Sequence, residues 1–311
     1  MKTGTSTSKL IYNAQCYGNV EPIEYMVPYP NLRGLITGQN VKYADHFAYK
    51  DAELTNKHVL NLVNQTANWL ESLGVTHEHR VLIHGFDFPH AELMAFGIWS
   101  VGASLVITDG KVTSAIEGVN PEFVLDGKEL NYPDCLSGYS TEYIHKINRL
   151  LPDEAIVFWN KNRGIKLSHY NLLVNANGFY LSSGLNETKS FHIDLPPTST
   201  AWAVFQVVLP FYTGAVLTAV NPDITVGLPS QFTEIDYKLI LEWEKIEKGD
   251  PTHIFILPEN TAVLAIGEEP NHMTKIEDMD IVLTVTGHSV MMGYLDETRN
   301  ESVFTEKGMI V

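Results

Sequence analysis

The chain has 311 residues, 44% of them hydrophobic and 19% charged, with 21 Lys and Arg against 37 Asp and Glu for a formal charge of −16. This is the composition of a soluble globular protein, long enough for one large core or two smaller ones. The acidic balance opposes binding along a phosphate backbone, which needs a Lys/Arg surface, so nucleic acid is excluded as a partner.

Residues 1–40 are rich in Tyr, Pro, Asn and Gly and show neither helical nor strand periodicity, which predicts an irregular N-terminal extension. Thr55 can cap a first helix in which Val59, Leu62, Val63, Thr66, Trp69 and Leu70 fall at helical spacing, with Gly74 as its stop. Residues 80–84 read as a short apolar strand. Asp87 can cap a helix entered through Pro89, and that helix is apolar nearly all round, hence buried on both sides. A strand over 104–108 completes a strand-helix-strand crossover and so a parallel pair. A further strand follows at 122–125, then polar turns to about residue 140.

Residues 155–159 read as a strand, and Ser168 as the cap of a helix to about residue 180. A helix near 202–212 ends at Gly214, and a strand follows over 215–220. A loop rich in Pro and Gly separates these from a helix at about 236–248 and a strand at 253–257. The alternation predicts an α/β fold, doubly wound, with mostly parallel sheets and helices on both faces. One domain over 41–311 is expected, with a subdomain break near 221–235. Trp69, Val81, Phe96 and Trp99 are the expected core of the first unit.

Cys16 and Cys135 are the only cysteines, too few for a disulfide framework or a thiolate zinc site. The first residues lack the apolar core of a signal peptide, and no run approaches the ~18 apolar residues of a membrane span. The expectation is a cytoplasmic protein that engages no membrane. The density of Tyr12, Tyr17, Tyr25, Met26, Tyr29 and Leu32 in the N-terminal extension suits a contact surface, so protein partners or self-assembly are expected.

Residues 156–172, IVFWNKNRGIKLSHYNL, resemble the signature segment of the adenylate-forming superfamily: acyl- and aryl-CoA synthetases, nonribosomal-peptide adenylation domains and beetle luciferases. In that family a strand enters a loop of the form Tyr-Thr-Ser-Gly-Thr-Thr-Gly-x-Pro-Lys-Gly, followed by a hydrophobic step, Ser/Thr-His and a helix. Residues 44–109 are similar to the family's opening unit. Residues 286–308, TGHSVMMGYLDETRNESVFTEKG, resemble the segment that approaches the end of its large N-terminal domain. Weaker similarity lies at 195–220 and 252–264. The resemblance implies the AMP-binding-like N-terminal domain fold and a ligase active site that can be checked piece by piece.

Several pieces depart from the pattern. The phosphate loop shrinks to Asn160-Lys161-Asn162, and three bulky polar residues without glycine cannot aim several N–H groups at one anion. The family's Tyr-Gly-x-Thr-Glu string, whose acid helps hold magnesium, is not found between Leu257 and Asp280. The ribose-anchoring Thr-Gly-Asp step does not follow Gly293-Tyr294 and Phe304-Thr305-Glu306-Lys307-Gly308, and the small C-terminal domain with the catalytic Lys is expected to be lacking. Pro197-Thr198-Ser199 stand where an aromatic or His is usual. The resemblance therefore implies a truncated, degenerate homologue of the ATP-dependent acid-CoA ligase type: a pseudoenzyme with no catalytic residue, metal or cofactor, kept for a structural or interaction role in a larger assembly. The alternative is a reduced acyl-adenylate-forming ligase or an ATP- or acyl-adenylate-binding protein, using ATP and Mg.

Arg163 (at the place of the loop's Lys), Gly164, Ser168, His169 and Asn171 match the family, and the first four could keep a nucleotide or anion contact at a helix N-terminus. Their competing role is local: Ser168 caps the helix and His169 packs beneath it. His84, Asp87 and His90 stand at the carboxyl end of a parallel strand, either as a small metal or proton-transfer cluster or as a cap with surface histidines. His77 and His79 form a loop pair without a third ligand. Gly287-His288-Ser289-Val290-Met291 nearly mimics a nucleophile elbow, with Met291 in place of the second glycine.

Overall fold

A computed structural model describes residues 6–232, 234–241, 250–279 and 282–311. It opens with two helices, α1 (Thr7–Gln15) and α2 (Leu32–Tyr43), where the sequence pattern predicts an irregular extension. Their apolar signal is thin: α1 buries only Ala14, while α2 carries two glycines and buries Leu32, Leu35, Ile36 and Gln39. What holds α2 is a cap, with the Asn31 side chain accepting from Gly34 N at 2.7 Å. The segment wraps its own domain. Gln15 donates to the Met291 carbonyl at 3.0 Å, Asn31 to the Arg149 carbonyl at 2.8 Å, and Tyr170 to the Tyr25 carbonyl at 3.1 Å.

Next come β1 (Phe47–Tyr49), β2 (Leu54–Thr55) and α3 (Asn56–Ser72), whose cap is Thr55 accepting from His58 N. Then follow β3 (Arg80–His84), α4 (His90–Val101), β4 (Ser104–Thr108), α5 (Val112–Val119), β5 (Phe123–Asp126) and α6 (Tyr132–Leu136). The start of α4 differs from the expectation. The Phe88–Pro89 peptide is cis, and Asp87 serves the helix through its backbone carbonyl, which accepts from His90 N and Ala91 N, rather than through its side chain. All of Ala91–Val101 is buried, as a helix apolar nearly all round requires. Gly97 makes this possible: a Cβ there would lie 2.3 Å from Thr66 Cγ2, so only glycine lets α4 meet α3 this closely.

The chain continues through β6 (Glu154–Asn160), β7 (Arg163–Ser168) and α7 (His169–Ser183). The first sheet has the order β5-β3-β4-β6-β7, parallel except for the β6/β7 pair. Trp69, Val81, Phe96 and Trp99 are all buried in or against it, and Trp99 Nε1 donates to the Ala155 carbonyl at 2.7 Å.

After β8 (Ser190–His192) a single helical run contains α8 (Thr200–Trp202), a π-helical stretch (Ala203–Val208) and α9 (Leu209–Thr213), ended by left-handed Gly214. Strands β9 (Val216–Leu217), β10 (Ile224–Gly227), β11 (Tyr237–Ile240), β12 (His253–Ile256), β13 (Val263–Ile266) and β14 (Glu269–Pro270) follow. They build a nine-stranded sheet, β14-β13-β12-β11-β10-β8-β9-β1-β2, parallel from β12 to β1. Within the stretch 221–235, β10 sits between β8 and β11. Where a helix was expected over 236–248, Tyr237–Ile240 is a strand, and residues 242–249 lie outside the described residues. A short apolar run does not distinguish buried strand from buried helix by periodicity. The last unit, β15 (Thr274–Met279), β16 (Val282–Gly287), α10 (Glu297–Val303), β17 (Phe304–Thr305) and β18 (Gly308–Ile310), holds a four-stranded antiparallel sheet. The whole is a mixed α/β fold with parallel sheets. Among the described residues no helix is long and apolar enough to cross a membrane.

Candidate functional site

Asn160-Lys161-Asn162 is not a loop. Asn160 pairs with Arg163 in the β6/β7 ladder, and Lys161 and Asn162 form a two-residue turn with φ of +46° and +62°. Two left-handed residues are the requirement of a type I′ hairpin turn, and Asn is one of the few side chains that adopts this region readily. The backbone groups on either side are spent on the ladder, and the Lys161 N–H is taken by Asp109, whose carboxyl is raised by burial against that bond. No cradle of free N–H groups forms here.

Arg163 projects from the turn into an ion pair, its Nη1 2.7 Å from Glu259 Oε1. Tyr294 donates to the same oxygen at 2.8 Å, and the Arg299 guanidinium lies over the Tyr294 ring at 4.9 Å. Glu259 is buried at 4% exposure, so the pair neutralises a carboxylate that would otherwise be costly to bury. Burial first, and then Glu259, push the Tyr294 hydroxyl well above its ordinary range. Gly164 lies against Leu295, where a Cβ would come within 2.5 Å of Cδ1, and its carbonyl accepts from Leu295 N at 2.8 Å.

At the other end of β7, Ser168 and Asn171 form a reciprocal capping box: Ser168 Oγ accepts from Asn171 N at 3.0 Å, and Asn171 Oδ1 accepts from Ser168 N at 2.9 Å. His169 N donates to the Asp153 carbonyl and Tyr170 N to the Leu151 carbonyl. The first three N–H groups of α7, the ones a helix offers to an anion, are therefore all bonded within the protein. The His169 imidazole is fully buried, which pushes its pKa down to about 3, and its Nδ1 accepts from Leu32 N at 3.4 Å. The structure thus brings Ser168 and His169 together at the helix start and leaves Arg163 and Gly164 at the far end of the strand. A cavity of about 260 Å³ beside the helix start is walled by Ile11 and Gln15 of α1, with Ser168, Tyr170, Asn171 and His288 facing them. His288, whose pKa is lowered by burial, shares a 2.7 Å hydrogen bond with Tyr170.

The other candidates disperse. His84 approaches Asp126 at 3.7 Å, while the His90 ring packs on Tyr132 at 4.9 Å. Among the described residues no group of three or more His, Cys, Asp or Glu side chains is placed to hold a metal. His79 Nδ1 accepts from Thr76 N, and the His77 carbonyl accepts from Arg149. Ser289 is wholly buried and its hydroxyl accepts from Asn175, so it is not an exposed nucleophile.

Two acids escaped the sequence reading. Glu259 lies in the stretch where no acid-bearing string was recognised. Glu92, inside apolar α4, is buried and accepts from Trp202 Nε1 at 2.7 Å and from Gln206 Nε2 at 2.8 Å, both from the helical run that contains the π-helical stretch. Desolvation pushes its carboxyl up to about 7. The available signal was one acid in an eleven-residue apolar stretch with a lone Gln in a second one.

No family model matches the sequence, and no curated protein matches it. Solved structures do. The unliganded O-succinylbenzoate coenzyme A synthetase (MenE) of Bacillus subtilis shares 12% identity at a TM-score of 0.76, over 91% of this chain and 75% of that one. Apo MatB from Rhodopseudomonas palustris shares 13% at 0.74, over 90% and 75%. The artificially fused adenylation–PCP di-domain NpsA-ThdA from Klebsiella oxytoca shares 11% at 0.71, over 92% and 69%. The likeness is one of fold. The chain has the fold of the adenylate-forming superfamily, as the resemblance of residues 156–172 and 286–308 implies.

Proposed function

We propose that this protein is a non-catalytic homologue of AMP-dependent synthetases and ligases, with a structural or protein-interaction role in a larger assembly. The observation that carries the reading is the type I′ turn at Lys161-Asn162, set where the resemblance places the phosphate loop. Adenylation depends on positioned donors around a transferring phosphoryl group, and loss of one such contact alone costs about 10²–10³ in rate. Here the turn offers no cradle, the first N–H groups of α7 are occupied, and Arg163 is committed to Glu259. In this reading Arg163, Gly164, Ser168 and His169 serve the fold.

The test has two arms. Carboxylate-dependent ATP–pyrophosphate exchange is assayed with fatty, aryl and amino acids in the presence of Mg, and binding of ATP, AMP and acyl-sulfamoyl adenosines is followed by thermal shift. Neither exchange nor stabilisation is expected, and native mass measurement should find a species heavier than one chain. Exchange above background would replace this reading with a reduced ligase. Nucleotide stabilisation without exchange would make the protein an ATP- or acyl-adenylate-binding module, and Arg163→Ala should then weaken the contact.

A further inference from the structure

A second cavity, of about 480 Å³, opens between α3, α4 and α6 and shares no lining residue with the one at the start of α7. Its volume lies in the range of small-molecule sites, about 300–1,000 Å³. Leu54, Leu62, Leu93 and Leu136 stand in its wall, and Gln65 and His90 supply polar groups. The wall is fastened in place. Tyr132 shares a hydrogen bond with Thr66, and Gln65 Nε2 donates to the Tyr139 carbonyl at 3.1 Å, which ties α6 and the turn after it to α3.

Although the chain carries a formal charge of −16, no Asp, Glu, Lys or Arg lines this cavity. An ionised ligand would give up hydration there and meet no counter-charge. Burial lowers the His90 pKa, so its ring is neutral near pH 7, with one nitrogen donating and the other accepting. Neither ring nitrogen has a hydrogen-bond partner among the described residues, and the Gln65 carbonyl oxygen has none either. We propose that this cavity binds an uncharged, mainly apolar small molecule that carries one hydroxyl group, with His90 and Gln65 as its polar contacts. A hydroxyl both donates and accepts, so it can pair with an acceptor such as Gln65 Oε1 or with either kind of His90 nitrogen, while the apolar body is taken out of water against the four leucines.

The test uses the full chain at pH 7.5 and two probes of nearly equal shape, 4-butylphenol and the ionised 4-butylbenzoate, titrated calorimetrically. The phenol should bind at one site at least tenfold more tightly than the benzoate. Ser137→Trp, at an exposed lining position, should abolish phenol binding, with Pro133→Trp as the second occluding variant should the first fail to fold. His90→Phe should weaken the phenol about tenfold and leave butylbenzene unaffected. Absence of phenol binding, equal binding of the benzoate, or undiminished binding in a folded occluding variant overturns the proposal.

Discussion

Glu92 gives the sharpest test of how this core is put together. Its carboxyl is wholly buried, and desolvation raises it from an ordinary 4.5 to about 7. Trp202 and Gln206 partly offset that by donating to Oε1, while Asp194 raises it further. Among the described residues Oε2 has no partner, and neither does the Tyr49 hydroxyl, whose own pKa is raised by burial first and then by Glu92. Between about pH 4.5 and 7 the folded protein keeps a proton on Glu92 that the unfolded chain has released. Stability from this group is therefore full below 4.5 and lost as pH rises through 7. At about 1.4 kcal/mol per pH unit, the interval from 4.5 to about 7 is worth roughly 3 kcal/mol. Glu92→Gln removes the titration and keeps an acceptor for both donors. Its amide N–H groups need partners, an unfilled one costing about 1–3 kcal/mol, so the net gain at pH 8 should lie between about 0 and 2 kcal/mol. Urea unfolding of parent and variant between pH 4.5 and 8.5 measures both. The parent should lose roughly 3 kcal/mol more than the variant across that range. Parallel pH profiles, or a variant that falls further behind as pH rises, would refute the buried-acid account.

Trp99→Ala should destabilise by about 3–5 kcal/mol in the same assay, since it empties a buried aromatic site and orphans the Ala155 carbonyl; a loss below 1 kcal/mol would contradict that packing. At the β6/β7 turn, Asn162→Ala should cost about 1–2 kcal/mol and Lys161→Gly should stabilise, because both positions have positive φ; the opposite order would contradict the type I′ geometry. Arg163→Ala should cost about 3–5 kcal/mol by leaving Glu259 buried and unpaired, and adding Glu259→Gln should restore part of it. If the double variant is no better than the single one, the cost lies in packing rather than charge.

The parts of the fold legible in the sequence are those where one strong local signal dominates. Thr55 with the apolar stripe of α3, the all-apolar run of α4 and the Ser168 cap of α7 each carry such a signal, and each element stands where expected. The N-terminal helices carry none. Leu32, Leu35 and Ile36 do fall at helical spacing, but the stripe is short, is interrupted by Gly34 and Gly38 and closes on Gln39, so tertiary packing decides the element. Tyr237–Ile240 fails for the related reason that four residues set no period. At the candidate site, residue identity showed that a phosphate loop was lacking but not what stood in its place. That depends on the φ values of Lys161 and Asn162 and on long-range partners such as Glu259, Tyr294, Asp153 and Leu151.

These partners explain why the fold and an anion site can come apart here. The β6/β7 pair draws its stability from its ladder and from Ile156, Phe158, Ile165 and Leu167, all buried, and α7 from its capping box. None of these needs a ligand. An open phosphate loop leaves several backbone N–H groups waiting for an anion, whereas a two-residue turn leaves no such gap in the ladder. The Arg163–Glu259–Tyr294 group, in which Glu259 and Tyr294 are buried and Arg163 half-buried, then ties the hairpin to the turn after β12 and to the segment before α10. Closing the hairpin and tying it down this way gives a turn that holds its shape without a bound anion.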